Sequence, residues 1–210
     1  GSFKDQYPRV KLNLNLGIAV LQKLNFNTTP FKVKGQVDAD LSTADPDYLN
    51  GKIAIHHLLF ANEKENFQLD SINILATATA EKTAIQVKSQ ILKANMEGQY
   101  QLSQIGTALS NSLAKYYDFE PSVKKKPTLP QHFNFTINVN NDPVISKLFP
   151  EITELQPISI NGRYNSVNDT IVLKALLSKI VYGSSTINNA VINVNTKDKT
   201  LAYSVFIDEV

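Results

Sequence analysis

HFNFTINVNN, residues His132 to Asn141, places Phe133, Phe135, Ile137 and Val139 on one side of an extended strand and Asn134, Thr136, Asn138 and Asn140 on the other. Strand side chains alternate with period two, so this stretch is half apolar and half polar by construction. The apolar side either meets a closed core or forms an open surface that carries something apolar. The same alternation recurs along the chain. Val10, Leu12, Leu14 and Leu16 alternate with Arg9, Lys11, Asn13 and Asn15, and Val37, Ala39 and Leu41 alternate with Gln36, Asp38 and Asp40. Later runs place Ile158, Ile160 and Tyr164, then Ile171, Leu173, Ala175 and Leu177, then Ala190, Ile192 and Val194, then Leu201, Tyr203, Val205 and Ile207 on single faces, with polar turns between them.

Residues 52–60, 66–80 and 83–102 are further strand candidates. The last two change parity once, Leu69 giving way to Ile72 and Val87 to Leu92, which predicts bulged strands that curl. Two short helices interrupt the pattern. Residues 103–118 offer Ser103 as a cap and Ile105, Leu109, Leu113 and Tyr116 as a stripe. Residues 142–149 offer Asp142 as a cap, Pro143 in the first turn and Pro150 beyond the end, with Val144, Leu148 and Ile145 facing inward. Residues 119–131 carry prolines and Lys124–Lys126 and read as an exposed connector between a first β-rich repeat, 1–118, and a second, 132–210. The fold class is therefore mainly β: a curled antiparallel meander of about ten strands forming a groove, with two short helices.

Composition narrows the function. The 210 residues are 42% hydrophobic, enough for a buried core, and Lys+Arg 21 against Asp+Glu 19 leaves a net charge of +2, with no field to recruit nucleic acid. Without cysteine there is neither a disulfide framework nor a thiolate metal site. No apolar run is long enough for a membrane helix, Gly1-Ser2 reads as a tag remnant, and FIDEV at 206–210 reads as the edge of an excised segment. His56 and His57 are adjacent on a strand and point apart, and His132 has no partner at ligand spacing. Asp38–Asp47 departs from a calcium loop at Thr43 and Leu49, where glycine and glutamate are required, although Asp45 and Asp47 could hold a stray cation weakly. With no phosphate loop and no nucleophile elbow, the expectation is no catalytic residue, no metal, no cofactor and no enzyme.

The segment 49–117 has a Gly-led strand, a strand carrying Asp70 ahead of a turn, a strand ending in Gly98-Gln99-Tyr100, and a helix ending in Tyr116-Tyr117. Together with DPVISKLFPEITEL, 142–155, and the meander from Ile158 to Ile207, it resembles the large TamB-like members of the AsmA superfamily, especially the long versions of Bacteroidetes-type bacteria. The resemblance covers nearly the whole chain and rests on the pattern of a divergent repeat. It implies a β-taco, a sheet curled into an apolar groove, in a periplasmic segment of an inner-membrane protein whose anchor lies outside this stretch. It also implies phospholipid transport between the membranes, or outer-membrane protein assembly with a β-barrel partner. On that reading Leu12, Leu14, Phe133, Phe135, Ile137, Tyr203 and Val205 line a groove for acyl chains, each buried methylene gaining about 0.8 kcal/mol. The alternative is a closed-core β-sandwich, a binding or adhesion module for a protein or glycan.

Overall fold

The computed structural model describes residues 9–20, 32–61, 65–116, 126–197 and 200–209. Thirteen strands and two α-helices follow in chain order: β1 Val10–Val20, β2 Lys32–Thr43, β3 Asn50–Ala61, β4 Asn66–Leu69, β5 Ile72–Ala78, β6 Thr83–Lys88, β7 Leu92–Gln99, α1 Leu102–Leu113, β8 His132–Val139, α2 Pro143–Leu148, β9 Ile152–Leu155, β10 Ile158–Asn165, β11 Thr170–Tyr182, β12 Ser185–Lys197 and β13 Thr200–Phe206. All belong to one antiparallel sheet, ordered β1-β2-β3-β5-β6-β7-β8-β10-β11-β12-β13, with β4 beside β5 on β3 and β9 beside β10 on β11. The sheet is open, with β1 and β13 as its margins. The described residues form no second sheet, so the sandwich alternative does not describe this architecture. The two expected repeats share the one sheet: β7 and β8, from either side of the connector, pair from Leu92↔Val139 to Gln99↔His132. Connector residues 119–125 lie outside the described residues, as does the 117–118 end expected for the first helix.

The two parity changes mark breaks between strands rather than bulges within them. Ser89 N–H donates to Leu92 O at 2.8 Å, closing a tight turn that splits 83–102 into the β6–β7 hairpin, and 66–80 divides into β4 and β5 at Asp70-Ser71. A reversal of direction and a bulge both shift the alternation, which is why the pattern alone does not separate them. Register shifts lie elsewhere, one of them a bulge at His56-His57 opposite Gly35. His57 takes φ 52° and is the extra residue that puts Ile53 and Ile55, then Leu58 and Phe60, on one face.

Each helix covers one end of the apolar face. Under α2, Val144 joins Val33, Leu58, Phe60, Phe67 and Leu69 in a buried cluster where the Phe60 and Phe67 rings stack with centroids 5.2 Å apart. Asp142 caps α2 as expected: Oδ1 accepts the Val144 N–H at 2.9 Å, and Oδ2 accepts Gln90 Nε2 from the β6–β7 turn at 2.9 Å. Under α1, Tyr100, Ala108, Phe133 and Tyr164 are buried. Gly98-Gln99-Tyr100 and Gly162-Arg163-Tyr164 lie on the strands flanking β8, and both tyrosine rings pack on Phe133, with centroids 5.7 and 5.5 Å away. The glycines make this possible. A Cβ at Gly98 would lie 2.1 Å from His132 O, and one at Gly162 would lie 2.7 Å from the Phe135 ring.

The expected Ser103 cap is replaced by one from a distant turn. Ser103 is inside α1, and its N–H and Oγ–H donate to Asp47 Oδ1 and Oδ2 at 2.8 and 2.6 Å. Asp47 sits in the 3-10 turn Pro46–Tyr48 between β2 and β3, itself capped by Asp45. At the other end, Ser112 Oγ and Lys115 Nζ donate to Asp169 Oδ1 and Oδ2 at 2.9 and 2.5 Å, and Tyr116 OH donates to Asp169 O at 3.2 Å. Asp169 belongs to the β10–β11 turn. Five strand spacings, about 24 Å, separate β3 from β10 along the sheet, whereas Ser103 and Ser112 lie about 14 Å apart along the helix axis. α1 and the two aspartates together span the distance between the two turns.

Asp169→Ala should therefore cost more than Asp47→Ala. It leaves Ser112, 2% exposed, without its acceptor and puts alanine at φ 53°, so urea denaturation should show a loss of about 2–4 kcal/mol, against about 1 kcal/mol for the exposed cap. Asp169→Asn, which tolerates that backbone and keeps an acceptor, should fall between wild type and Asp169→Ala.

Candidate functional site

Antiparallel pairing keeps directly opposite residues on one side of a sheet. Following the ladders outward from Ile137 gives Ala94, Val87, Ile74, Ile53, Ala39 and Leu12 in one direction and Ile160, Ala175, Ile192 and Val205 in the other. Parallel rows run through Phe135 and Val139. Along the rows through Phe135 and Ile137 this side presents apolar residues and glycine, while further along β11 and β12 the same alternation brings in Lys179 opposite Asn188. The opposite side carries the asparagines, lysines and acids. On it His56 Nε2 lies 3.7 Å from Asp38 Oδ2, and the His56 and His57 ring centroids are 6.3 Å apart.

Burial divides the apolar side into three zones. Beneath the helices its residues are core: Phe133 and Tyr164 are 6% and 3% exposed. Between the helices Ile74, Ile85, Val87, Ala94, Ile137, Ile160, Leu173 and Ile192 are only half-buried, although each lies on a strand paired on both sides. Packed interiors leave no such accessibility, so nothing in the described fold covers these side chains. At the margins exposure rises to 42% at Leu12 and Leu14, 57% at Val205 and 70% at Tyr203.

All seven residues singled out in the sequence thus share one face of one sheet, in different settings. Phe133 is a structural residue locked between two tyrosines under α1. Phe135 packs against the edge of the α1 cluster, Ile137 belongs to the half-buried middle, and Leu12, Leu14, Tyr203 and Val205 belong to the open margins. Sequence reading passed over Gln131, 1% exposed in the connector, whose Oε1 accepts the Gln101 N–H at 2.7 Å and whose Nε2 donates to Leu129 O at 3.0 Å. No local signal distinguishes it from an exposed loop glutamine.

The polar chemistry near the helices serves the architecture. Ser112 Oγ donates its only proton to Asp169, so in its 2.9 Å contact with Tyr164 the phenol must be the donor. Burial pushes the Tyr100 phenol up to about 12 and raises that of Tyr164, although the Ser112 hydrogen bond pulls the latter down. A recess of about 470 Å³ beside the end of α1 is lined by Lys115, Tyr116, Asp169 and Lys197, but Lys115 is already engaged by Asp169. Among the described residues no group of three or more His, Asp or Glu side chains could hold a metal ion, and no helix is long and apolar enough to cross a membrane. Comparison with family models, curated proteins and solved structures returns no match.

Two measurements check this zoning. Phe133→Ala should cost about 3–5 kcal/mol in urea denaturation, whereas Ile137→Ala, already half in water, should cost about 1–2 kcal/mol. The Tyr100 phenol, raised in the folded state, contributes stability that is complete below pH 10, its unfolded value, and is lost as pH rises towards about 12. The alkaline limb should fall by at most about 2–3 kcal/mol and flatten in Tyr100→Phe.

Proposed function

We propose that this chain is a non-enzymatic lipid-handling segment whose uncovered apolar face receives acyl chains. One observation carries the reading: an apolar face that runs across eleven strands and that, among the described residues, has a helix over it only beneath α1 and α2. Such a surface is costly to leave in water, each methylene transferred onto it gaining about 0.8 kcal/mol. Exposed apolar areas of this extent mark interaction surfaces rather than scattered surface residues. Because the rows through Phe135 and Ile137 carry no charge, that part of the face offers nothing to a headgroup, which stays in water beyond the margins while the chain lies on the face. The two helices close the ends and leave the length between the margins β1 and β13 accessible.

The resemblance to TamB-like members of the AsmA superfamily agrees with this reading and extends it. In that setting the segment lies in the periplasm, as part of a protein anchored in the inner membrane. It passes phospholipid towards the outer membrane or assists assembly there together with a β-barrel partner.

Native mass spectrometry of the purified chain, with organic extraction of what co-purifies, tests the proposal. Phospholipid or fatty acid retained in discrete stoichiometry is the expected result. A clean apo mass together with no uptake of a fluorescent acyl probe would overturn it. Ile137→Asp supplies the residue-level check: the melting temperature should fall by about 4–8 °C, corresponding to about 2 kcal/mol, while probe uptake drops. Global unfolding instead would mean a closed core around Ile137, where a buried unpaired carboxylate costs several kcal/mol.

A further inference from the structure

The outer side of the sheet, turned away from both helices, concentrates positive charge that the chain as a whole nearly cancels. Net charge over the 210 residues is +2. On the interior strands β6, β7, β8, β10 and β11 that side presents Lys88, Lys93, Arg163 and Lys174, all exposed and, among the described residues, none in an ion pair. Glu97 is the one acid in these five strands, and Lys82 Nζ lies 2.8 Å from its Oε2. Lys179, further along β11, is matched by Glu154 at 2.7 Å. The acids of β2 have partners as well, Asp40 facing Arg9 and Asp38 facing His56. Four cations therefore stand in the middle of this side with no described acid to offset them.

Two of the four work against the fold. Lys88 and Lys93 are cross-strand partners in the β6–β7 hairpin, and like charges directly opposite weaken strand pairing. Asp70 and Asp142 lie at the tip of that hairpin, where Gln90 Oε1 accepts the Asp70 N–H and Gln90 Nε2 donates to Asp142 Oδ2, yet neither carboxylate forms an ion pair with Lys88 or Lys93. An acid at either lysine position would strengthen the hairpin. An anion lying over both lysines does the same from outside.

The neighbours of the lysines define what kind of anion fits. One row across the strands runs Asn73, Lys88, Lys93, Asn138 and Ser159, and the next runs Gln86, Asn95, Thr136, Asn161 and Lys174. Each step is one strand spacing, about 4.8 Å, close to the length of one sugar ring in an extended polysaccharide. Amides and hydroxyls both donate and accept, which suits a ligand rich in hydroxyl groups, and the lysines supply the partners for carboxylates. The two rows hold no aromatic or large apolar side chain to enter a bilayer, Leu75 and Leu176 standing beyond their ends. We infer that the outer face binds an acidic polysaccharide, a chain of carboxylate-bearing sugars laid across β5 to β11 along these rows. This face is turned away from the apolar one, so both can be occupied at once.

Isothermal titration calorimetry of the whole chain with oligogalacturonate and with hyaluronate oligomers tests the inference, with neutral dextran, poly-L-glutamate and phosphatidylglycerol vesicles for comparison. The uronic-acid oligomers should bind about tenfold more tightly than dextran or polyglutamate, a difference of the size that one or two extra hydrogen bonds supply, and added salt should weaken them. Lys88→Glu should reduce that affinity about fivefold without lowering the melting temperature, because it sets an acid opposite Lys93. Asn138→Ala combined with Asn161→Ala should weaken the oligomers and leave polyglutamate unchanged. No binding of either oligomer, equal binding of polyglutamate, tighter binding of vesicles, or a Lys88→Glu variant that binds as the wild type does would overturn the inference. A fall in the melting temperature of Lys88→Glu would also overturn it, by showing that the lysine pair serves the fold.

Discussion

The contacts that converge on Asp169 hold the rest of the structure to its shape. A single sheet has no facing layer to fix its curvature, and its backbone hydrogen bonds are compatible with a range of twists. Here one helix is bound at its start to the β2–β3 turn through Asp47 and at its end to the β10–β11 turn through Asp169. α1 thereby ties together two turns whose strands lie five spacings apart, and beneath it Tyr100 and Tyr164 pack on Phe133. The Asp169 end dominates because it satisfies a buried hydroxyl at a left-handed backbone position, while the Asp47 end bonds groups that water could reach.

Stability and openness are thereby separated along the strands. Buried clusters lie beneath α1 and α2, while between them the larger aliphatic side chains are half-buried and the small Ala76 and Ala175 are buried. A closed sandwich spreads its core over the whole face and exposes none of it. Placing the core at the ends lets the middle remain accessible while the strands are held at both ends. Strand pairing contributes the rest: every strand of the main path except the two margins has a neighbour on each side, so its backbone polar groups are satisfied without any layer above.

Much of this was legible in the sequence because period-two alternation is a property of single strands. The shared apolar face of Leu12, Phe135, Ile137 and Val205 follows from it once neighbouring strands pair in antiparallel order, and the Asp142-Pro143 start of α2 carries its own local signal. What failed was everything that depends on a partner distant in sequence. Ser103 looked like a cap because serine before an apolar stripe usually is one, but Asp47 took the role from 56 residues away. The parity change at Val87 and Leu92 looked like a bulge because a turn leaves the same trace, while the true bulge at His57 was hidden inside a histidine pair that invited a metal reading. Gln131 became buried only because the chain on either side of α1 passes it.

Phe133 and Ile137 sit four residues apart on one strand and on one face, and the sequence gives no reason to treat them differently. The structure does. Phe133 faces Gly98 and Tyr164 across the sheet and is roofed by α1, so its ring completes a core. Ile137 faces Ala94 and Ile160 and stays half-buried. The difference comes from where α1 lands, and α1 is bound at each end by an aspartate of a turn. Accessibility of the apolar face is therefore decided by a few polar contacts outside it, and a sequence reading that follows hydrophobic pattern alone cannot distinguish the floor of a groove from the core that supports it.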